Sequence, residues 1–171
     1  MPAAIGNLQL LRDLSIAKNK LNQVEGDCLI NLENLVMLDL HQNNFRVYSA
    51  VPRAPKLDTI SLGYNQLVDV LNLSNASNLT VLDLHSNKLL DLPESILQMG
   101  NLKTLTLTNN ELRDIDPRVS LLEDLVRINI EGNPLKAIKP AMRSANAVQL
   151  KKYLKMRLGE DVVEREETKQ S

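Results

Sequence analysis

The chain has 171 residues, with 20 basic and 21 acidic side chains and a formal net charge of −1, so its overall charge does not draw it to nucleic acid or to an anionic membrane. No apolar run approaches the length of a membrane span, no secretory leader precedes the first patterned segment, and the single cysteine, Cys28, rules out an intrachain disulfide. Hydrophobic residues make up 43% but aromatics only 2%, which describes one leucine-built domain with few of the aromatic anchors that dominate tight interfaces.

From the N-terminus, Met1-Pro-Ala-Ala-Ile5-Gly-Asn-Leu8 matches the closing half of a unit met again at Leu92-Pro-Glu-Ser-Ile96-Leu-Gln-Met99. The chain therefore reads as starting in mid-repeat, either as the later part of a longer repeat protein or with an open first edge that stacks on another chain. A frame L-x-x-L-x-L-x-x-N-x-L then recurs six times. It reads Leu11-Leu14-Ile16-Asn19-Leu21, Leu35-Leu38-Leu40-Asn43-Phe45 and Leu57-Ile60-Leu62-Asn65-Leu67 in the first half. Leu79-Leu82-Leu84-Asn87-Leu89, Leu102-Leu105-Leu107-Asn110-Leu112 and Leu125-Ile128-Ile130-Asn133-Leu135 complete it. The asparagines are 24, 22, 22, 23 and 23 residues apart, and a period of that size means a stacked solenoid.

The frame has a physical reading. In the central L-x-L alternate side chains point to opposite faces, so both leucines enter the interior and the residue between them faces out. One such strand cannot bury its apolar side alone, and stability requires neighbours stacked in a parallel sheet. The asparagine turns inward after the strand, where its amide both donates and accepts. Replacing Asn65 or Asn87 by leucine is expected to leave buried backbone groups unsatisfied at roughly 1–3 kcal/mol apiece.

The returning segments are too short for full crossover helices. The spacing of Leu112, Ile115, Val119 and Leu122 suits a helical turn or two, as does Leu21 to Leu32. Phe45 to Leu57 carries Pro52 and Pro55, and Leu67 to Leu79 is rich in Asn and Ser, so short 3₁₀ or irregular segments are expected there. Better helix is expected over Pro93 to Met99, opened by its proline. After Pro140 the spacing predicts a helix from Ala141 to Leu158 with an apolar stripe of Ala147, Leu150, Leu154 and Leu158. It reads as a lid over the last coil. The expected organisation is a solenoid of about six repeats over 1–140, a capping helix over 141–158 and an acidic, disordered tail over 159–171. Three sequons begin at Asn72, Asn75 and Asn78, and a polar repeat produces such triplets by accident.

These frames resemble the leucine-rich repeat class, and residues 1–158 as a whole resemble its intracellular members. The ending is similar to that of the leucine-rich repeat-containing protein forty family, through Glu131-Gly132-Asn133-Pro134 and the later Tyr153-Leu154-Lys155-Met156-Arg157. The resemblance implies an α/β fold: a right-handed solenoid with a curved parallel sheet on its concave face, short helical, 3₁₀ or irregular convex segments, and a C-terminal capping helix. It also implies a scaffold or regulator that binds other proteins, with no enzymatic activity and no cofactor. Extracellular members generally carry cysteine-clustered caps, which this sequence lacks, so the expected compartment is the cytoplasm, with the nucleus also open.

Partner-binding residues are then the outward strand positions, since these are what a rigid sheet presents. They are Met37, Asp39 and His41 in one repeat, Thr59, Ser61 and Tyr64 in the next, Val81, Asp83 and His85 in the third, and Thr104, Thr106 and Arg127 beyond. Tyr64, Met37 and Arg127 are the expected anchors.

Other chemistries fit less well. Asp39-Leu-His41 and Asp83-Leu-His85 put two histidines about 9.6 Å apart at strand spacing, conceivable for zinc over Gly63 but without a third ligand. They could also make partner binding sensitive to pH. Serine, histidine and aspartate share the face, yet an open sheet offers neither a sequestered pocket nor an oxyanion site. The distinct alternative is the C-terminal end, where Lys136, Lys139, Arg143, Lys151, Lys152, Lys155 and Arg157 lie in a stretch without acids. That basic patch could contact anionic lipid, nucleic acid or an acidic protein tail, with the repeats as a spacer.

Overall fold

A computed structural model describes residues 3–24, 28–71, 73 and 76–167, with side chains as far as Gly159. Six three-residue strands, β1 (Asp13–Ser15), β2 (Met37–Asp39), β4 (Thr59–Ser61), β6 (Val81–Asp83), β7 (Thr104–Thr106) and β8 (Arg127–Asn129), form one parallel sheet in the order β1-β2-β4-β6-β7-β8. Equivalent frame positions pair directly, as Leu38 with Ile60 and Ile60 with Leu82, so each column of the sequence alignment becomes a row across the sheet. The inward residues Leu38, Leu40, Ile60, Leu62, Leu82, Leu84, Leu105 and Leu107 are fully buried. This parallel solenoid with a C-terminal helix is the architecture expected from the frame.

The asparagines tie each coil to the one before. Asn87 Nδ2 donates to the carbonyls of Leu84 (3.0 Å) and His85 (3.1 Å) in its own turn and to Leu62 (3.1 Å) one coil back, while its Oδ1 accepts from the Leu67 N–H at 2.9 Å. Asn43, Asn65, Asn110 and Asn133 repeat the pattern, whereas Asn19 bonds only the Ile16 and Ala17 carbonyls. Immediately before these asparagines the backbone turns left-handed, at Lys18, Gln42, Tyr64, Ser86, Asn109 and Gly132, with φ between 53° and 71°. Five of the six are not glycine, and each carries strain of roughly 1–2 kcal/mol. The turn is held because the amide of the strained residue donates across to the next coil, as Tyr64 N–H to His85 O at 2.9 Å.

On the opposite side, Glu94–Gln98 and Pro117–Leu121 are 3₁₀ turns. The segment expected as better helix over Pro93–Met99 is thus a 3₁₀ turn with Pro93 just outside it, since five residues cannot support several α-helical hydrogen bonds. Asp116 caps the second turn by accepting from the Arg118 N–H at 2.8 Å. The proline-bearing segment also holds a strand, β3 (Val47–Tyr48), paired in parallel with β5 (Asp69–Val70). Tyr48 is buried there against Phe45, its hydroxyl donating to the Ala50 carbonyl at 2.7 Å, and burial pushes its phenol well above the usual range. Asn72, Ser74 and Asn75 of the first two sequons lie outside the described residues, as do 25–27. Asn78 donates to the Pro55 carbonyl, one of a second series of asparagine bridges with Asn34 and Asn101.

The C-terminal helix differs from expectation at both ends. Pro140–Met142 is a separate 3₁₀ turn, and α1 runs from Ala147 to Glu167. It starts late because Asn146 is the cap, its Oδ1 accepting from the Gln149 N–H at 3.0 Å. It runs past Gly159, because one glycine costs about 1 kcal/mol, too little to end an anchored helix. Residues 168–171 lie outside the described part. Ala147, Leu150 and Leu154 are buried against the last coil, with Leu158 half-buried. Lys151 Nζ donates to the carbonyls of Leu122, Glu123 and Leu125, and Arg157 grips Asp114 with two bonds of 2.8 Å.

Candidate functional site

The outward face of the six-stranded sheet carries the expected positions in register. Met37, Thr59, Val81, Thr104 and Arg127 form one row, and Asp39, Ser61, Asp83 and Thr106 the next. All lie outside the core. Thr59, Ser61, Val81, Asp83, His85, Thr104 and Thr106 are half-buried, Arg127 is exposed, and Met37 and Tyr64 are 37% and 59% exposed.

The two D-L-H segments fold the same way. Asp39 Oδ1 accepts from the His41 N–H at 3.1 Å and meets the His41 ring Nδ1 at 2.7 Å, and Asp83 Oδ1 does the same with His85 at 3.0 and 2.8 Å. Each aspartate thereby closes a small turn and fixes the ring that follows it. Ser15 Oγ donates to Asp39 Oδ2 at 2.9 Å. Partial burial raises the Asp39 carboxyl, but the His41 and Ser15 hydrogen bonds outweigh it and hold the group below the usual carboxylate range. Each histidine Nδ1 is engaged by its own aspartate, and among the described residues no three His, Cys, Asp or Glu side chains cluster as a metal would need.

Between these pairs lies Gly63. A Cβ built there collides with the His85 ring, so the glycine is the slot into which that ring fits. The ring in turn meets Tyr64 edge-on, with centroids 4.7 Å apart and planes at 83°. An exposed aromatic on a strained backbone position is thus braced by a histidine that is itself held by an aspartate. Sequence reasoning named Tyr64, His85 and Asp83 but not their mutual contact. It also missed Asp58, which accepts from Thr59 Oγ1 at 3.0 Å and Thr80 Oγ1 at 2.6 Å; the equal offsets of Asp58 and Thr80 in adjacent frames could have indicated it. Arg127 lies apart from this cluster, beside a hollow of about 260 Å³ next to Glu131 and Arg143.

The basic C-terminal set divides in two. Lys151 and Arg157 are consumed in fastening α1, and Arg143 Nε donates to the Ile138 carbonyl at 3.2 Å. Lys136, Lys139, Lys152 and Lys155 remain exposed. Tyr153, the aromatic among them, has both the Lys139 Nζ and the Arg157 guanidinium 5.9 Å from its ring centroid.

Comparison with known proteins agrees with this geometry. The leucine rich repeat family model matches residues 2–45 and 77–139. Keratocan of Gallus gallus and keratocan of Coturnix japonica are each 34% identical over 94 residues, which is 50% of this chain and 25% of theirs. The chain thus spans about a quarter of the length of these relatives. An internalin of Listeria monocytogenes superposes with a TM-score of 0.63 at 23% identity, over 78% of this chain and 38% of that one. A leucine-rich repeat protein of Leptospira interrogans does so with a TM-score of 0.58 at 26% identity, over 82% and 41%. No helix among the described residues is long and apolar enough to cross a membrane.

Proposed function

Because the chain belongs to the leucine-rich repeat family, whose repeats commonly serve as protein–protein interaction modules, we propose that it is a non-enzymatic scaffold that binds a protein partner on the concave strand face. The observation that carries this reading is the braced Tyr64. It is 59% exposed yet fixed by the His85 ring. A fixed aromatic loses little side-chain entropy on binding, and such residues supply much of the energy of protein interfaces. On the same face Asp39, His41, Ser61, Val81, Asp83 and Thr106 are half-buried, with Asp39 and His41 held to each other by hydrogen bonds. The compartment proposed with this is the cytoplasm or nucleus, consistent with a chain of one cysteine.

The second reading, contact with anionic lipid or nucleic acid through the basic cap, rests on Lys136, Lys139, Lys152 and Lys155. Tyr153 argues against single-stranded nucleic acid, because cations already flank the ring on which a base would stack. The test is capture from a cell lysate by wild type, by Met37→Glu/Tyr64→Ala and by Lys152→Glu/Lys155→Glu, followed by affinity measurement with the purified ligand. The strand-face reading expects the first variant to lose the protein and to weaken binding at least ~30-fold, as loss of a hot spot does. A ligand lost only with the lysine variant overturns it.

A further inference from the structure

One row across the strand face runs Ser15, Asp39, Ser61, Asp83, Thr106 and Asn129. Asp39 and Asp83 each engage the histidine two residues on through Oδ1. Their second oxygens differ. Asp39 Oδ2 accepts from Ser15 Oγ at 2.9 Å. Ser61 stands in register between the two aspartates and donates to neither, and Asp83 Oδ2 has no hydrogen-bond partner among the described residues. Thr106 Oγ1, on the other side of Asp83, is unbonded as well. No side-chain oxygen among the described residues is both buried and unbonded, so all three reach solvent although their residues are half-buried. The result is one open carboxylate oxygen between two open hydroxyls, with the exposed Tyr64 ring joined to it through His85.

We propose that this is the anchor point for an arginine side chain of the protein partner, which deepens the strand-face reading and rests on it. Positions 58–64 and 80–86 carry Asp58 and Asp83 but no lysine or arginine. Asp58 is itself taken up by Thr59 and Thr80. Lys103, just before β7, is exposed and forms no ion pair among the described residues. The middle of the face is therefore negative, and Asp39 adds to the field about 9.6 Å from Asp83 at strand spacing. A metal ion does not suit the row, since one carboxylate and two hydroxyls supply too few charged ligands. An ammonium is a compact charge. A guanidinium spreads five N–H donors over a planar fork that covers the carboxylate and the hydroxyls beside it, and it is more weakly hydrated. At 29% exposure the Asp83 side chain is already partly stripped of water, so pairing it gains more than a fully exposed ion pair does. Asp39, 20% exposed and with both oxygens occupied, is the built-in contrast.

The probe is the peptide acetyl-Gly-Gly-Arg-Gly-Gly-amide, titrated into the full isotope-labelled chain and followed by NMR, with the citrulline peptide as its neutral isostere. The arginine peptide should shift the amides of Ser61, Asp83 and Thr106 saturably, and the citrulline peptide should not. Asp83→Asn keeps an acceptor for His85 but turns the open oxygen into a donor. It should weaken the arginine peptide roughly 10-fold or more with the rest of the spectrum unchanged, whereas Asp39→Asn should change binding less than about 2-fold. An arginine peptide that shifts only other amides, that binds Asp83→Asn as tightly as wild type, or that citrulline matches overturns the proposal. Any protein captured through the strand face is measured against the same two variants. A partner that needs Met37 and Tyr64 but binds Asp83→Asn normally overturns this inference and leaves the strand-face reading standing. Failure of that reading shows separately, as a ligand kept by Met37→Glu/Tyr64→Ala, and the peptide titration then decides the anchor on its own.

Discussion

Asn87→Leu tests what the buried asparagines do. The substitution removes one acceptor and one amide group. The Leu67 N–H, bound to Asn87 Oδ1 at 2.9 Å, is left without that partner. The three carbonyls fare better: Leu62 O keeps Asn65 Nδ2 at 2.9 Å, Leu84 O keeps Asn110 Nδ2 at 2.9 Å, and His85 O keeps the Tyr64 N–H at 2.9 Å. The loss is therefore one orphaned donor plus three weakened acceptors, about 2–4 kcal/mol in total, rather than four orphaned groups. Asn19 is the internal control. It is exposed, has only its own turn to bond and reaches no preceding coil, so Asn19→Leu should cost less than about 1 kcal/mol. Urea unfolding followed by circular dichroism measures both, provided the transitions keep a common slope. Equal costs at the two positions would refute the claim that the asparagine works as a bridge between coils.

Other outcomes follow from the same contacts. Gly132→Ala should destabilise by about 1–2 kcal/mol in thermal unfolding, because φ is 71° and the new Cβ meets Asn109 Oδ1, whereas Gly100→Ala should not destabilise at all. Gly63→Ala should expel the His85 ring, lose its Tyr64 contact and weaken partner binding while leaving the melting temperature nearly unchanged. Because His41 and Ser15 hold the Asp39 carboxyl below its ordinary value, the stability it contributes is present above that ordinary value and is lost as pH falls through the lowered one. His41→Ala should raise the carboxyl, read by NMR titration. Lys151→Met should loosen the capping helix by about 1–2 kcal/mol, seen as faster hydrogen exchange in 147–158, since three carbonyls lose their cation.

The six strands and the inward asparagines were legible in the sequence because a parallel stack converts equal spacing directly into equal position. The left-handed turns were not. Five of six fall on Lys, Gln, Tyr, Ser and Asn, and no residue type reveals a strain that the surrounding hydrogen bonds impose. β3 was hidden by Pro52 and Pro55, which follow the strand rather than interrupt it, and β5 by the Asn- and Ser-rich stretch that follows it. At the candidate site, the outward residues followed from period-two alternation. The Asp83–His85–Tyr64 chain did not, because it depends on the empty space above Gly63, a contact between neighbouring coils.

The strand-face claim is tested most directly by site-specific photo-crosslinking. A photoreactive residue is placed at Thr104, on the outward row beside Val81, and separately at Gln98, on the exposed 3₁₀ turn of the opposite side. The account predicts partner adducts from position 104 and none from 98. Adducts from 98 alone would contradict it and move the binding surface to the convex side.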